Sequence, residues 1–140
     1  MIRVYCVSSD ITRFTPRIIN SVFMQYGRRL VILCASEEEV NTLDRALWTF
    51  SSDVFLPHGT MADEFAQEHP VLLGTGLDDR FSADTVVILD GVRFDNWTPA
   101  GRYVRITEQD PQAVSRSLPA GHEKKCFIEN KQKWSEYYYD

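Results

Sequence analysis

The apolar positions of this chain follow two rhythms. Unbroken runs occur at IRVYCV (2–7), LVILC (30–34), VLLG (71–74), TVVIL (85–89) and RYVRIT (102–107). They are short, rich in β-branched residues and bounded by polar or turn-forming segments, as buried strands are. A continuous run, not a strict alternation, is expected where both faces of a sheet are covered. Between these runs the spacing becomes helical. In TPRIINSVFMQYG, residues Ile18, Ile19, Val22, Phe23 and Tyr26 form one stripe. Thr15 is the expected cap, Pro16 the first helical residue and Gly27 the stop. Ser36 and Glu39 make a capping box ahead of Val40, Leu43, Ala46 and Leu47. Asp110 and Pro111 open a further helix over DPQAVSRSL. FLPHG reads as a small extra strand ended by Pro57 and Gly59. Alternating strands and helices predict one α/β domain over 1–140, with a mainly parallel sheet and helices on both faces. Right-handed crossovers make that a Rossmann-like three-layer sandwich.

Composition narrows the function without naming it. With 44% hydrophobic and 25% charged residues, 140 residues bury a core without staples. The net charge of −5 provides no global field for nucleic acid, and leaves room only for a local basic patch. No apolar run approaches a membrane span, and MIRVYCVSSD lacks the features of a signal peptide, so the expected location is the cytoplasm, away from membranes. Cys6, Cys34 and Cys126 are expected as reduced, buried thiols. His58, His69 and His122 are too scattered to suggest a metal site. GTG at 74–76 lacks the third glycine of a dinucleotide loop, and no Walker loop or Gly-x-Ser-x-Gly elbow is present. No cofactor is expected.

One stretch concentrates chemistry: LDRALWTFSSDVFLPHG, residues 43 to 59. Asp44, Asp53 and His58 are the residues from which a general-base pair could be assembled. Trp48, Phe50 and Phe55 crowd an irregular segment that cannot easily bury all three, so one or two are expected to be partly exposed. Exposed Trp and Phe are typical interface anchors, although all three could also be core.

The order of residues in this stretch resembles the chi subunit family of bacterial DNA polymerase III. The hallmark is a Leu-Asp-x-x-Leu-Trp helix end followed by Phe-Leu/Val-Pro-His. Here these are Leu43, Asp44, Leu47, Trp48, Phe55, Leu56, Pro57 and His58. HPVLLGTG, ADTVVILDG and the strand at 102–107 follow in the family's order, so the resemblance covers about residues 1 to 122. It implies a Rossmann-like, non-catalytic replisome subunit. Such a subunit links the clamp loader, through psi, to single-stranded DNA-binding protein, and grips that protein's acidic, Phe-ended C-terminal tail. Nucleic acid is then met mostly indirectly. Trp48 and Phe55 carry over to a surface for psi or a helicase-like partner, with Pro57 and His58 shaping its turn.

Toward the C-terminus the family pattern is an Arg-rich helix, Ala-Gly, a short strand and a late Trp. This chain has AVSRSLPAGHEKKCFIENKQKW, where Ala120, Gly121, KKCFI and Trp134 match and Pro119 shortens the helix. Only Arg116 remains of its basic run. A rival register aligns NKQKWSEYY with that helix, placing Lys131, Lys133 and Trp134 on it; the first register keeps the Ala-Gly turn and is preferred. A tail carboxylate needs cationic donors and its Phe an apolar slot. Arg116, Lys124 and Lys125 are the expected donors, Ile106 the slot, and Gly121 and Trp134 the flanking matches. The competing expectation is a small α/β enzyme using Asp44, Asp53 or His58 in a deep polar pocket at the strand C-termini. A third has the lysines touching single-stranded DNA directly, and the acidic net charge and lack of a broad aromatic platform argue against strong binding of that kind.

Overall fold

The computed structural model describes residues 1–131, 133–137 and 139. Its strands are β1 (Ile2–Val7), β2 (Leu30–Leu33), β3 (His58–Thr60), β4 (Val71–Gly74), β5 (Thr85–Ile88), β6 (Arg102–Thr107), β7 (Lys124–Asn130) and β8 (Lys133–Tyr137). Its α-helices are α1 (Ile11–Tyr26), α2 (Glu37–Thr49) and α3 (Pro111–Ser115). The strands form one sheet in the order β3-β4-β2-β5-β6-β1-β7-β8. Every neighbouring pair is parallel except β7 with β8. The five strands expected from the apolar runs are all present, as is the mainly parallel α/β architecture.

Alternation sorts the side chains into two cores. Val7, Ile32, Leu73, Val104 and Ile106 face α1 and α2, where they meet Ile19, Val22, Leu43 and Leu47. Val4, Val31, Leu72, Val86 and Tyr103 face the other way. That second face is not covered by a full helical layer. Val114 of the short α3 packs there with Ala66 of a 3-10 turn, Phe81 and half-buried Phe94 and Trp97 of the 89–101 connection. Pro119 and the polar run before it stop α3 after a turn and a half, so loop aromatics take over the covering.

The start of the first helix differs from expectation. Asp10, not Thr15, is the cap: its Oδ1 accepts from the Arg13 N–H at 3.3 Å. Thr15 and Pro16 are buried inside α1, and the Thr15 hydroxyl donates to Ile11 O at 2.7 Å. Pro16 costs the helix one backbone donor, which the apolar stripe it joins offsets. Gly27 ends α1 at φ 54, its N–H donating to Phe23 O at 2.7 Å. Ser36 caps α2 as expected, while the Glu39 carboxylate reaches one residue further back, accepting from the Ala35 N–H at 3.1 Å. The FLPHG strand is also displaced: Leu56 and Pro57 precede it, and pairing with β4 begins at His58. The described residues of NKQKWSEYY are not helical, and Gln132 and Tyr138 lie outside the described residues. Asn130 and Lys133 pair across a hairpin turn where Lys131 takes φ 52, and β8 runs back along β7. The rival helical register is therefore discarded. Cys6, Cys34 and Cys126 are free and buried. Among the described residues no helix is long and apolar enough to cross a membrane.

Candidate functional sites

The opening stretch folds into a clip with an aromatic outer surface. Leu47 and Leu56 are buried in the core, which pins the end of α2 and the segment leading to β3 side by side. His58 lies beneath them, 4% exposed. Its Nδ1 lies 2.7 Å from Leu56 O, and its Nε2 lies 3.2 Å from Asp44 O and 3.1 Å from Asp44 Oδ1. Asp53 stays on an exposed turn, its N–H donating to Ser51 Oγ. The structure thus joins Asp44 and His58 but leaves Asp53 apart, and both ring nitrogens of His58 are engaged in tying a helix end to a strand start. Above this clip Trp48 rests on His58 at 4.6 Å between ring centroids and on Phe55 at 5.6 Å. Trp48 remains 54% and Phe55 70% exposed, with Val54 exposed beside them, whereas Phe50 packs toward the core. Pro57, half-buried, sets the approach to β3. An exposed Trp–Phe pair held from below by a buried histidine is a rigid apolar patch suited to docking.

The residues expected to hold a peptide tail do not converge. Arg116 follows α3 on the second face. Ile106 is fully buried against α1 and α2, on the opposite face. Lys124 and Lys125 open β7 on alternate faces, and Lys125 Nζ pairs with Glu136 at 3.2 Å. Trp134 packs on Phe14 of α1 and on Tyr5. Gly121 turns the chain at φ 84 just before His122, which reaches Thr98 O at 2.8 Å.

Around Arg116 a different group assembles. A groove of about 550 Å³ opens between α3 and the 89–101 connection, lined by Arg93, Phe94, Trp97, Arg105, Arg116 and Leu118. Buried Tyr103 on β6 backs its two aromatic residues from behind. The Tyr103 hydroxyl accepts from the Thr98 N–H at 2.7 Å, and the ring packs on Phe94 and Trp97 at 5.6 and 4.9 Å. Arg105 lies half-buried at the base and donates from Nη1 to Val92 O at 2.8 Å. Burial pushes its pKa below the usual arginine value, with Asp90 countering in part. Among the described residues none of Arg93, Arg105 and Arg116 forms a salt bridge. The groove thus presents three cations beside an aromatic wall, and Asp95 is the acid on its rim. Sequence reading missed Arg93, Phe94, Trp97 and Arg105. The signal for the first three was VRFDNW, two aromatics and an arginine inside a Gly- and Pro-bounded connection too long for a plain turn, whereas Arg105 sits within the strand run RYVRIT.

Fold and surfaces together define a small parallel α/β domain whose distinctive chemistry lies in an apolar patch and a basic, aromatic groove. The family model described as DNA polymerase III chi subunit, HolC, matches residues 2–117, and the chain belongs to that family. A curated relative, DNA polymerase III subunit chi of Pseudomonas aeruginosa, is 42% identical over 50 residues, which is 36% of this chain and 34% of the relative. That aligned stretch spans about a third of the relative's length. The family match ends at residue 117, so β7 and β8 lie beyond it.

Proposed function

We propose that this chain is a non-catalytic accessory subunit that couples single-stranded DNA-binding protein to the clamp loader during replication in the cytoplasm. It does so by holding the acidic, Phe-ended tail of that protein in the groove between α3 and the 89–101 connection. The observation that carries this reading is the half-buried Arg105 flanked by Arg93 and Arg116 beside Phe94 and Trp97. A terminal carboxylate takes charge-assisted hydrogen bonds from guanidiniums, and a terminal Phe ring takes an apolar wall, so one groove meets both demands. Asp44, Trp48, Phe55, Pro57 and His58 then form the second connection, toward psi or the clamp loader. The two surfaces are built on different elements, α2–β3 and α3 with the 89–101 connection.

Calorimetric titration with the tail peptide from the same source tests the groove. Binding in the micromolar range, about −8 kcal/mol, is expected for a short peptide. It should require the final Phe, weaken with salt and fall about tenfold or more in Arg116→Ala and in Arg93→Ala. Binding that survives both substitutions but is lost in Lys124→Ala or Lys125→Ala would move the site to the start of β7.

A further inference from the structure

The sheet does not end under α1. Beyond it β1, β7 and β8 continue, and a set of aromatic rings stands on their α1-side surface. Tyr5 on β1 lies opposite Phe127 on β7, with ring centroids 5.0 Å apart and planes within 21°. Trp134 on β8 crosses them, 6.0 Å from Tyr5 at 82°, and meets Phe14 of α1 at 5.7 Å and 89°. Tyr5, Phe14 and Phe127 are half-buried, and Trp134 is 42% exposed. A platform of this kind spans three strands and a helix edge.

Cations border the rings. Arg3 lies opposite Lys125, in the row beside Tyr5 and Phe127. The Lys125 ammonium sits 5.4 Å from the Phe127 centroid. Arg3 donates to the Tyr26 hydroxyl at 3.1 Å, and the Arg102 guanidinium covers the Tyr26 ring at 4.2 Å. Arg13 lies 5.9 Å from the Phe14 centroid. Helix α1 carries Arg13 and Arg17 and no acid, and Arg28 follows it, in a chain whose net charge is −5. Of the acids nearby, Glu136 pairs with Lys125, and Glu129 is buried, accepting from the Ser9 N–H and hydroxyl. Cations thus gather beside the aromatic rings, with Asp10, Glu129 and Glu136 the acids among them.

We infer that this surface binds single-stranded nucleic acid, with bases stacking on Trp134 and the rings around it and the phosphate backbone following Arg3, Lys125 and Arg13. Rings on an open sheet accept any base through its π-face, and cations beside them neutralise the backbone. An acidic peptide ending in Phe fits less well, because the platform offers open rings and no enclosed slot. The inference stands apart from the tail-binding groove, which lies on the other face of the sheet.

Fluorescence anisotropy with a labelled oligothymidylate of about 15 nucleotides tests it on the full chain. Saturable binding is expected at low salt, with a negative slope of log affinity against log salt. Trp134→Ala should weaken binding by about tenfold. Lys125→Ala should weaken it and reduce the magnitude of the salt slope by about 1. Circular dichroism checks that each variant keeps its fold, and Trp134→Phe, which retains a ring, should restore most of the affinity. Absence of saturable binding at low salt overturns the inference. So does binding that folded Trp134→Ala and Lys125→Ala leave unchanged, or binding that unlabelled tail peptide displaces and Arg116→Ala abolishes, since that would place the oligonucleotide in the groove.

Discussion

His58→Leu is the substitution that most directly separates a structural histidine from a catalytic one. Leucine roughly conserves buried volume but has no donor. The Leu56 carbonyl, in a residue 1% exposed, then loses the partner now 2.7 Å away. An unpaired buried carbonyl costs about 1–3 kcal/mol. The contacts of the other ring nitrogen to Asp44 O and Oδ1, at 3.2 and 3.1 Å, go as well, but a neutral imidazole carries one N–H and the Asp44 side chain is 32% exposed, so water replaces much of that loss. A further cost of about 0.5–1 kcal/mol follows, for about 1.5–4 kcal/mol in all. With a urea dependence of about 2 kcal/mol per molar, the unfolding midpoint should fall by about 0.7–2 M. Urea unfolding followed by far-UV circular dichroism reads this directly. Asp44→Asn keeps both acceptor oxygens in reach and should shift the midpoint by less than half as much. A His58→Leu midpoint within about 0.2 M of the parent, at unchanged slope, would refute the clip.

Other expectations follow from named contacts. Asp10 caps α1 from φ 34, a backbone region that asparagine and glycine tolerate, so Asp10→Ala should cost about 1–3 kcal/mol, and Asp10→Gly much less, by chemical denaturation. Trp48→Ala with Phe55→Ala should leave stability within about 1–2 kcal/mol yet abolish co-purification with psi; retained co-purification would remove the patch from that role. Arg105→Met removes a half-buried cation and should be neutral or mildly stabilising while weakening tail-peptide binding in the titration. Burial first, then Glu39 and Glu37, pushes the Cys34 thiol from 9.0 up to about 12. The contribution of Cys34 is therefore whole below pH 9 and declines toward pH 12, as only the unfolded chain ionises there. Denaturation midpoints should fall more steeply above pH 9 for the parent than for Cys34→Ala, and the native thiol should resist alkylation.

The parallel strands were legible because each is apolar on both sides, so length and flanking turns sufficed to find them. The Trp48–Phe55 surface was legible for the opposite reason: three large rings in one irregular segment exceed what such a segment can bury. The α1 cap was missed because Asp10 works from a left-handed backbone conformation, while Thr-Pro farther on imitates a helix start. The groove was hidden because Arg93 and Arg116 lie on separate connections that only the folded chain brings together. The platform eluded reading because Tyr5, Phe127 and Trp134 occupy three strands, and β8 was not recognised as a strand at all. Lysines and a tryptophan in NKQKWSEYY suit a helix or a hairpin edge equally well, and the turn at Lys131 decides between them.

The place of β1 in the sheet also bears on how the chain is made. It is synthesised before the other strands of this sheet, yet its neighbours are β6 and β7, with Ile2 opposite Tyr103 on one side and Lys124 on the other. Residues 30–74 can pair among themselves, since β4 pairs with both β2 and β3. β1 must wait until the last quarter of the chain has left the ribosome. During that interval an apolar strand has both edges open, and the loop that finally closes on it is among the longest the chain can form. Emergence of β6 and β7, more than that of β2 to β4, is the event that closes this sheet around β1.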